Sequence, residues 1–304
     1  MAGEKLSKTR IAHTNLIIDK RTSTMKKLIK KLIQKQGYNV AKSTPPDRVR
    51  SLIEKLNPTP IEMDFIRLGP NGDGGYLIPD DIEGVKTCFS PGVGKLSVFE
   101  EHCINRGMKV FMADRSVEKP ILNAPESEYQ FVKKHIGCVD NDDFMTMDEW
   151  VKANSAKDDN DLLLQMDIEG TEYPALINMT DPLMKRFRII VVEFHTLDDL
   201  WNPHFFNIAE IAIDRLLQTH TCVHIHPNNS LGIEYQFGVA IPKVAEFTFL
   251  RNDRLKIKNT PLKFPHKLDY DNTKKQHIDL PENWYKAKKT SPRTNQVREG
   301  VEAA

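Results

Sequence analysis

Four carboxylates and one histidine stand at or just after the ends of two apolar segments in the middle of the chain: Asp167, Glu169, Glu172, Glu193 and His195. A carboxylate that ends a buried strand needs a hydrogen-bond or charge partner. A histidine titrates near neutral pH and can take a proton from a hydroxyl group. This pattern predicts acid–base chemistry in which His195 is the general base and Asp167 and Glu193 are its catalytic neighbours.

A glycine turn and a later acid form a second candidate site. Ser90-Pro91-Gly92-Val93-Gly94 follows the first apolar segment of the core, and Asp114 ends the next one. Glycines let the backbone approach a ligand closely, and an acid at that place accepts hydrogen bonds from both hydroxyls of a ribose. The residues predicted to bind an adenosine-type cofactor are Ser90, Gly92, Gly94, Asp114, Arg115, Asp143 and Asp167.

The number of glycines separates the candidate cofactors. A dinucleotide fingerprint needs a third glycine, and Ser97 stands in that position. S-adenosylmethionine has no phosphates and needs only the shorter turn, so the pattern favours it. Two alternatives remain open, namely an enzyme that uses NAD(P) or a nucleotide sugar and a non-catalytic protein that binds a partner.

Apolar runs that alternate with amphipathic segments indicate how these residues are positioned. Strands are predicted over residues 85–90, 109–114, 129–136, 161–167, 188–195, 221–226 and 246–251. Helices are predicted over residues 95–106, 146–154, 172–178 and 205–219. The alternation predicts an α/β fold with a mostly parallel sheet covered by helices on both faces. The last two strands have no helix between them, which predicts an antiparallel pair at the end of the sheet.

The segment Asp167-Ile168-Glu169-Gly170-Thr171-Glu172-Tyr173, with Leu176 after it, resembles the hallmark of the FkbM methyltransferase family. Four further segments resemble that family in order and spacing: Arg67-Leu68-Gly69 with Asp73-Gly74-Gly75-Tyr76, Thr146-Met147-Asp148-Glu149-Trp150, Val192-Glu193-Phe194-His195, and His224 to Asn229. The resemblance covers residues 65–252. It implies a Rossmann-like class I methyltransferase fold, S-adenosylmethionine as cofactor, and O-methylation. Many members of the family methylate a sugar or a glycan precursor.

The acceptor of the methyl group is expected to meet polar side chains at the same sheet edge. The predicted substrate-binding residues are Asp73, Tyr76, Glu169, His226, Asn228 and Asn229. A divalent metal is an alternative way to activate the acceptor hydroxyl, and its predicted ligands are Asp167, Glu193 and His226.

The charge is distributed unevenly along the chain. Residues 1–50 carry thirteen Lys and Arg residues against three acids, whereas all 304 residues together have a net charge of +1. We therefore expect a basic extension over residues 1–56, a catalytic domain over residues 57–255 and a polar tail over residues 256–304. The extension lacks the interleaved aromatic residues that nucleic acid binding favours, so no nucleic acid partner is expected.

Residues 25–36 combine lysines with apolar residues at helical spacing, among them Leu28, Ile29, Leu32 and Ile33. Such a helix either lies on an anionic membrane surface or packs its apolar stripe on the catalytic domain. The four cysteines are scattered, and no segment is long and apolar enough to cross a bilayer. These features predict a cytoplasmic protein, and the membrane-surface alternative for residues 25–36 would add a peripheral contact.

Overall fold

The computed structural model describes residues 25–37, 41–94 and 96–286, in two compact units that cover Met1–Ser43 and Thr44–Ala304. In the first unit, residues 25–35 form helix α1. Its apolar residues Leu28, Ile29 and Leu32 are exposed to solvent. Within the described residues, none of the helices combines the length and apolarity that crossing a membrane requires.

The second unit is built around a seven-stranded sheet. The strands of this unit are β1 Phe65–Leu68, β2 Tyr76–Pro79, β3 Thr87–Pro91, β4 Lys109–Ala113, β5 Tyr129–Val132, β6 His135–Gly137, β7 Phe144–Thr146, β8 Leu162–Met166, β9 Phe187–Phe194, β10 His220–Pro227, β11 Ile233–Gln236, β12 Val239–Pro242 and β13 Ala245–Arg251. The order in the central sheet is β10-β13-β9-β8-β3-β4-β5. Six of these strands point in one direction, and β13 runs the opposite way, pairing antiparallel with both β9 and β10.

This order is that of the Rossmann-like class I methyltransferase fold, with the last strand inserted antiparallel beside β9, so the predicted fold class is confirmed. The predicted strand over residues 129–136 is divided into β5 and β6, and β6 pairs with β7 instead of continuing in the central sheet. The strands of the main sheet are buried almost throughout, as expected for a sheet that has both faces covered.

Helices cover the sheet: α2 Pro46–Lys55, α3 Val98–Ile104, α4 Met147–Asn154, α5 Glu172–Asn178, α6 Asp181–Met184 and α7 Pro203–Leu217. Thr146 begins α4 as its N-cap, accepting a hydrogen bond from the amide of Glu149. Helix α2 buries Val49, Leu52 and Ile53 in the main core. It therefore belongs to the catalytic unit, and the predicted boundary after residue 56 falls too late because the apolar face of α2 needs the core.

A hairpin formed by β1 and β2 lies against the central sheet. The two strands are paired antiparallel from Phe65 with Pro79 to Leu68 with Tyr76. The hydroxyl of Thr248 on β13 donates a hydrogen bond to the Leu77 carbonyl at 2.6 Å. The contact attaches β2 to the sheet and places Tyr76 near the carboxyl ends of the central strands.

Residues 256–286, which we call the strap, pack closely on the catalytic unit although they are mostly polar. Leu280 and Trp284 are buried, and the indole Nε1 of Trp284 donates to the Ala240 carbonyl at 2.9 Å. Asn229 donates to carbonyls of the strap and accepts from the Thr273 amide. The predicted polar tail over residues 256–304 is thus packed on the rest of its unit as far as residue 286, because a few well-spaced apolar anchors suffice to hold it. Residues 287–304 lie outside the described part.

Candidate functional site

The carboxyl ends of β8 and β9 bring the central acids and the histidine together. The two strands run parallel, with Met166 opposite Val192. Asp167 follows β8, and His195 follows β9. Ligands of open α/β sheets bind at this edge. The sequence predicts that Asp167 and His195 share one site, and the adjacent, parallel strands β8 and β9 bring them to the same edge of the sheet.

His195 is held by Glu172 at the start of α5. Its Nδ1 lies 3.0 Å from Glu172 Oε1. The same oxygen accepts the backbone N–H groups of Ile168 and Gly170 at 3.1 and 3.0 Å. Glu172 is fully buried, so its carboxylate has a fixed position. Because this carboxylate accepts a hydrogen bond from the N–H group at Nδ1, the Nε2 atom of the neutral ring is left as a proton acceptor.

Two further acids face the free nitrogen of His195. Nε2 lies 3.4 Å from Glu169 Oε2 and 3.8 Å from Asp167 Oδ1. Glu169 has a φ of 54°, and Thr196, directly after His195, has a φ of 55°. Left-handed backbone costs roughly 1–2 kcal/mol for residues other than glycine and is concentrated at functional sites. Both strained residues adjoin the paired His195 and Glu172, which supports a functional role for the pair.

The charges at this edge influence one another. Burial by itself lowers the pKa of His195, but the hydrogen bond and charge of Glu172, together with Asp167 and Glu169, outweigh it and raise the pKa above its ordinary value of 6.5. Burial raises the pKa of Asp167 to about 7, an effect opposed by His195 and increased by neighbouring carboxylates. His195 and Asp167 therefore both exchange protons near neutral pH, as acid–base chemistry requires.

The β1–β2 hairpin adds a hydroxyl group to the site. Tyr76 Oη lies 3.3 Å from Asp167 Oδ2. Burial is the largest cause that raises the pKa of Tyr76 well above 10, and the nearby carboxylates raise it further. The phenol therefore keeps its proton and donates a hydrogen bond to Asp167. Asp73 is exposed at the tip that precedes β2. Both predicted substrate residues of the hairpin, Asp73 and Tyr76, line the main cavity.

This cavity has a volume of about 810 Å³ and joins the two candidate sites. Gly92, Gly94, Asp114 and Arg115 line one end, and Asp73, Tyr76, Asp167 and Glu169 line the other. A cofactor-sized ligand and part of a second molecule fit in such a volume. The sequence prediction of a cofactor turn beside an acid–base edge therefore corresponds to one continuous cavity.

The cofactor end is shaped by the turn after β3. Gly92 has a φ of +81°, and a Cβ atom built on it would lie 1.5 Å from the Asp167 carbonyl oxygen. The Asp114 carboxylate accepts a hydrogen bond from the Gly94 amide at 3.0 Å. It also accepts hydrogen bonds from the amide and the hydroxyl of Ser116, both at 2.7 Å. These three donors fix the Asp114 carboxylate on the cavity wall, where it can receive the hydroxyls of a ribose.

Two of the predicted cofactor residues lie away from the wall. Ser90 is fully buried below the turn, where its hydroxyl contacts Glu100 and Gln165. Asp143 pairs with Arg115 at 3.1 Å, outside the cavity. The wall beyond Asp114 is formed instead by Lys134, His135 and Ile136 at the start of β6. Sequence reasoning missed these residues, because the predicted single strand over 129–136 concealed the break that turns them toward the cavity.

Three of the predicted substrate residues are structural. Asn229 is occupied by the strap, and the Asn228 amide donates to Glu193 Oε1 at 2.7 Å. His226 is 2% exposed and lies opposite Glu246 on β13, which in turn lies opposite Glu193. Burial raises the pKa of Glu193 well above its ordinary value. Asn228, Asn229 and His226 do not line the cavity, and the strap contacts Asn229 and His226. The alternation of β10 alone could not reveal these contacts.

The predicted metal ligands are also rearranged. Among the described residues, the metal-binding groups whose ligand atoms lie within 4.8 Å of one another are those of Asp167, Glu172 and His195, without Glu193 or His226. Glu172 Oε1 already accepts hydrogen bonds, so an ion would meet Asp167, His195 Nε2 and the nearby Glu169. One nitrogen and two carboxylates fit manganese, magnesium or zinc with added water.

The Gly92→Ala substitution tests whether the close approach of β3 and β8 forms the cofactor site. The new methyl group would collide with the Asp167 backbone, so we expect the free energy of unfolding to fall by about 2–4 kcal/mol and S-adenosylmethionine binding to be lost. Thermal denaturation and titration calorimetry measure the two effects. The matched control is Gly84→Ala, which has a φ of +80° and open space around the new atom. Wild-type affinity in Gly92→Ala would contradict this role.

Comparison with known proteins agrees with this site. Residues 126–217 match the family model of the methyltransferase FkbM domain. No curated protein sequence matches the chain. A TehB-like SAM-dependent methyltransferase from Corynebacterium glutamicum is similar at 12% identity and a TM-score of 0.29, over 76% of this chain and 99% of that one. The 23S rRNA methyltransferase ErmE is similar at 5% identity and a TM-score of 0.31, over 72% of this chain and 73% of that one. Similarity of this size says nothing about acceptor or mechanism.

The matched segment runs from the residues before β5 to the end of α7 and includes the Asp167–Glu172 motif and His195. It favours methyl transfer over the alternatives of a dinucleotide or nucleotide-sugar enzyme and a non-catalytic partner protein. The central sheet of the chain has the strand order of a class I methyltransferase, and its residues 126–217 match the FkbM methyltransferase domain.

Proposed function

We propose that the enzyme transfers the methyl group to a hydroxyl of a sugar or glycan, with His195 as the general base. The observation that carries the proposal is the pair formed by His195 Nδ1 and the buried Glu172 at 3.0 Å. The other ring nitrogen of His195 faces Asp167 and Glu169, which line the cavity. A histidine oriented by a fixed carboxylate is suited to removing a proton from a weakly acidic hydroxyl.

The bound donor supplies a methyl group already activated by a positively charged sulfonium. The residues of the enzyme position the acceptor and manage its proton. As the new carbon–oxygen bond forms and the carbon–sulfur bond breaks, His195 Nε2 takes the hydroxyl proton. Glu172 stabilises the resulting imidazolium, and Asp167 lies 3.8 Å from the same nitrogen. The proton leaves to solvent through the exposed Glu169.

A sugar is supported by the polar groups at the acceptor end of the cavity. Asp73, Tyr76, Asp167 and Glu169 supply carboxylates and one hydroxyl, which bind vicinal hydroxyl groups. Asp73 and Glu169 are exposed, so a large glycan has access to them. A divalent cation on Asp167, Glu169 and His195 is the second candidate for activating the acceptor, supported by the distances of the two carboxylates from His195 Nε2, 3.8 Å and 3.4 Å.

Mass spectrometry of products from a panel of sugars and glycans tests the reaction. We expect one methyl group on a hydroxyl oxygen and a fall in kcat of about 100- to 10,000-fold in His195→Gln, with unchanged donor affinity. His204→Gln, at an exposed histidine, serves as the control. Full turnover in His195→Gln would contradict the base. Activity that disappears with a chelator and returns with manganese or magnesium would instead assign activation to a cation.

The pH profile tests the pairing of His195 with Glu172. The base acts in its neutral form, so kcat/KM should rise with pH through a pKa above 6.5. Glu172→Gln removes the largest influence that raises this pKa, and the rise should move to lower pH while kcat falls. Glu169→Gln removes a charge that raises the pKa of His195 less than Glu172 does, so this variant should shift the pH profile by a smaller amount. A profile that is identical in all three proteins would show that His195 does not titrate in catalysis.

We also propose that residues 25–36 bind an anionic membrane surface, as a cytoplasmic enzyme that acts on a lipid-linked glycan would require. The exposed apolar residues of α1 include Met25, Leu28, Ile29 and Leu32. Lysines occupy most of its other positions, and all residues of the helix are exposed. Apolar burial and attraction to acidic headgroups together bind such a helix to a membrane. The described cysteines are free, which supports a reducing compartment.

Vesicle sedimentation tests the membrane contact. We expect binding to vesicles with 30% phosphatidylserine and little binding to phosphatidylcholine alone. Replacing Lys27, Lys30 and Lys31 by Gln should weaken binding by about 100-fold, since each lysine contributes roughly 1 kcal/mol. The control replaces the exposed Lys119, Lys256 and Lys263 by Gln. An equal loss of vesicle binding in both variants would contradict a specific role of α1. Equal binding to vesicles with and without phosphatidylserine would contradict it as well.

A further inference from the structure

Glu100 is a buried acid at the cavity wall that the reaction described above does not use. It lies on α3 and is 3% exposed, yet it lines the cavity together with Gly92 and Gln165. A buried carboxylate is costly unless a partner compensates its charge. In the described part of the chain, the ion pairs formed by Lys, Arg and His do not include Glu100, and its contacts are with neutral groups and other acids. The missing counter-charge points to a ligand.

The hydrogen bonds around Glu100 lead to the same conclusion. Ser90 Oγ lies 2.5 Å from Glu100 Oε1 and 2.6 Å from Gln165 Oε1. A serine hydroxyl has a single proton and cannot donate to both oxygens. With the cavity empty, a protonated Glu100 donating to Ser90 resolves the conflict, because Ser90 then donates to Gln165. An ionised Glu100 would instead accept the hydrogen bond of the Ser90 hydroxyl and leave its other oxygen for a donor in the cavity.

The position of Glu100 along the sheet indicates which part of the methyl donor it faces. Asp114, the ribose acid, follows β4, and His195 follows β9. Strands β3 and β8 lie between them, and Glu100 contacts Ser90 on β3 and Gln165 on β8. A donor whose ribose is at β4 and whose methyl group points toward β9 must place its methionyl part over β3 and β8. That part carries an α-ammonium group.

We propose that Glu100 binds the α-ammonium of the methionyl part of S-adenosylmethionine as an ionised carboxylate, positioned by Ser90 and Gln165. The carboxylate thereby selects a donor that carries an amino acid over other adenosine compounds. This assignment concerns the donor and does not depend on the identity of the acceptor; it rests on the proposed function only in taking the methyl group to point toward His195.

Binding of the ammonium is coupled to loss of a proton. Burial, only partly offset by the hydrogen bond from Ser90, raises the pKa of Glu100 to about 7. The titratable groups that face it are Glu101 on the same helix and the Cys88 thiol on β3, neither of which supplies positive charge. A bound ammonium favours the ionised form, so the pKa falls and the donor site tightens as the pH rises from 6 to 8.

Titration calorimetry with S-adenosylhomocysteine tests the assignment, because this product has the ammonium group but no sulfonium charge. In buffers of different ionisation enthalpy at pH 7, wild-type protein should release about 0.5 proton on binding. Glu100→Gln should abolish the release and weaken binding by about 10- to 100-fold. Glu101→Gln is the matched control on the adjacent position and should bind as the wild type does. Glu100→Asp should restore the proton release.

A deaminated analogue of S-adenosylhomocysteine distinguishes ammonium binding from a general structural effect. Wild-type protein should bind it about 10- to 100-fold more weakly than the parent compound, and Glu100→Gln should bind both about equally. Equal affinity of the wild type for the two compounds would overturn the proposal without any variant. If Glu100→Gln weakened binding of S-adenosylhomocysteine and of its deaminated analogue by the same factor, the proposal would be overturned as well. The weaker binding would then arise from a change in the fold and not from loss of the ammonium contact.

Discussion

The site depends on the close approach of the turn after β3 to the end of β8. At Gly92 no side chain larger than hydrogen fits, because the Asp167 carbonyl occupies the place of a Cβ atom. The Asp167 amide in turn donates to the Pro91 carbonyl at 3.1 Å, which locks the two strand ends together. This contact makes one cavity out of the donor turn and the acid–base edge. A wider separation would leave the ribose acid Asp114 and the acid Asp167 in different pockets.

Charge is the second constraint, since the enzyme keeps several acids at one buried sheet edge. Burial raises the pKa values of Asp167, Glu193 and Glu246, so these neighbours need not all be ionised at once. Glu172 is different, because two backbone amides and His195 donate to it. A fixed anion beside a histidine and a set of acids that exchange protons together provide the means to move a proton.

The strap shows how a polar segment can determine which residues are functional. It covers the end of β10, where His224 pairs with Asp269 at 2.9 Å, and that ion pair holds the pKa of Asp269 well below its ordinary range. Asn272 reaches from the strap to Glu246 and to Asp73, at 2.7 and 3.3 Å. The strap therefore closes the side of the site at β10 and β13 and leaves the acceptor end at Asp73 and Glu169 open.

The sequence by itself determined the alternation of strands and helices, the antiparallel pair at the end of the sheet, the glycine turn and the acid after β4. It also determined the motif from Asp167 to Glu172 and the place of His195 after β9. Each of these follows from local spacing and hydrophobic periodicity, which the chain carries whatever its partners are. Only the tertiary structure decided which polar groups face the cavity. The Asn229 side chain hydrogen-bonds to the strap, more than 40 residues later in the chain. Glu100, on the short helix α3, lines the cavity at the proposed donor site. Long-range packing makes such choices, because a side chain on a buried strand or helix faces whatever the rest of the chain places over it.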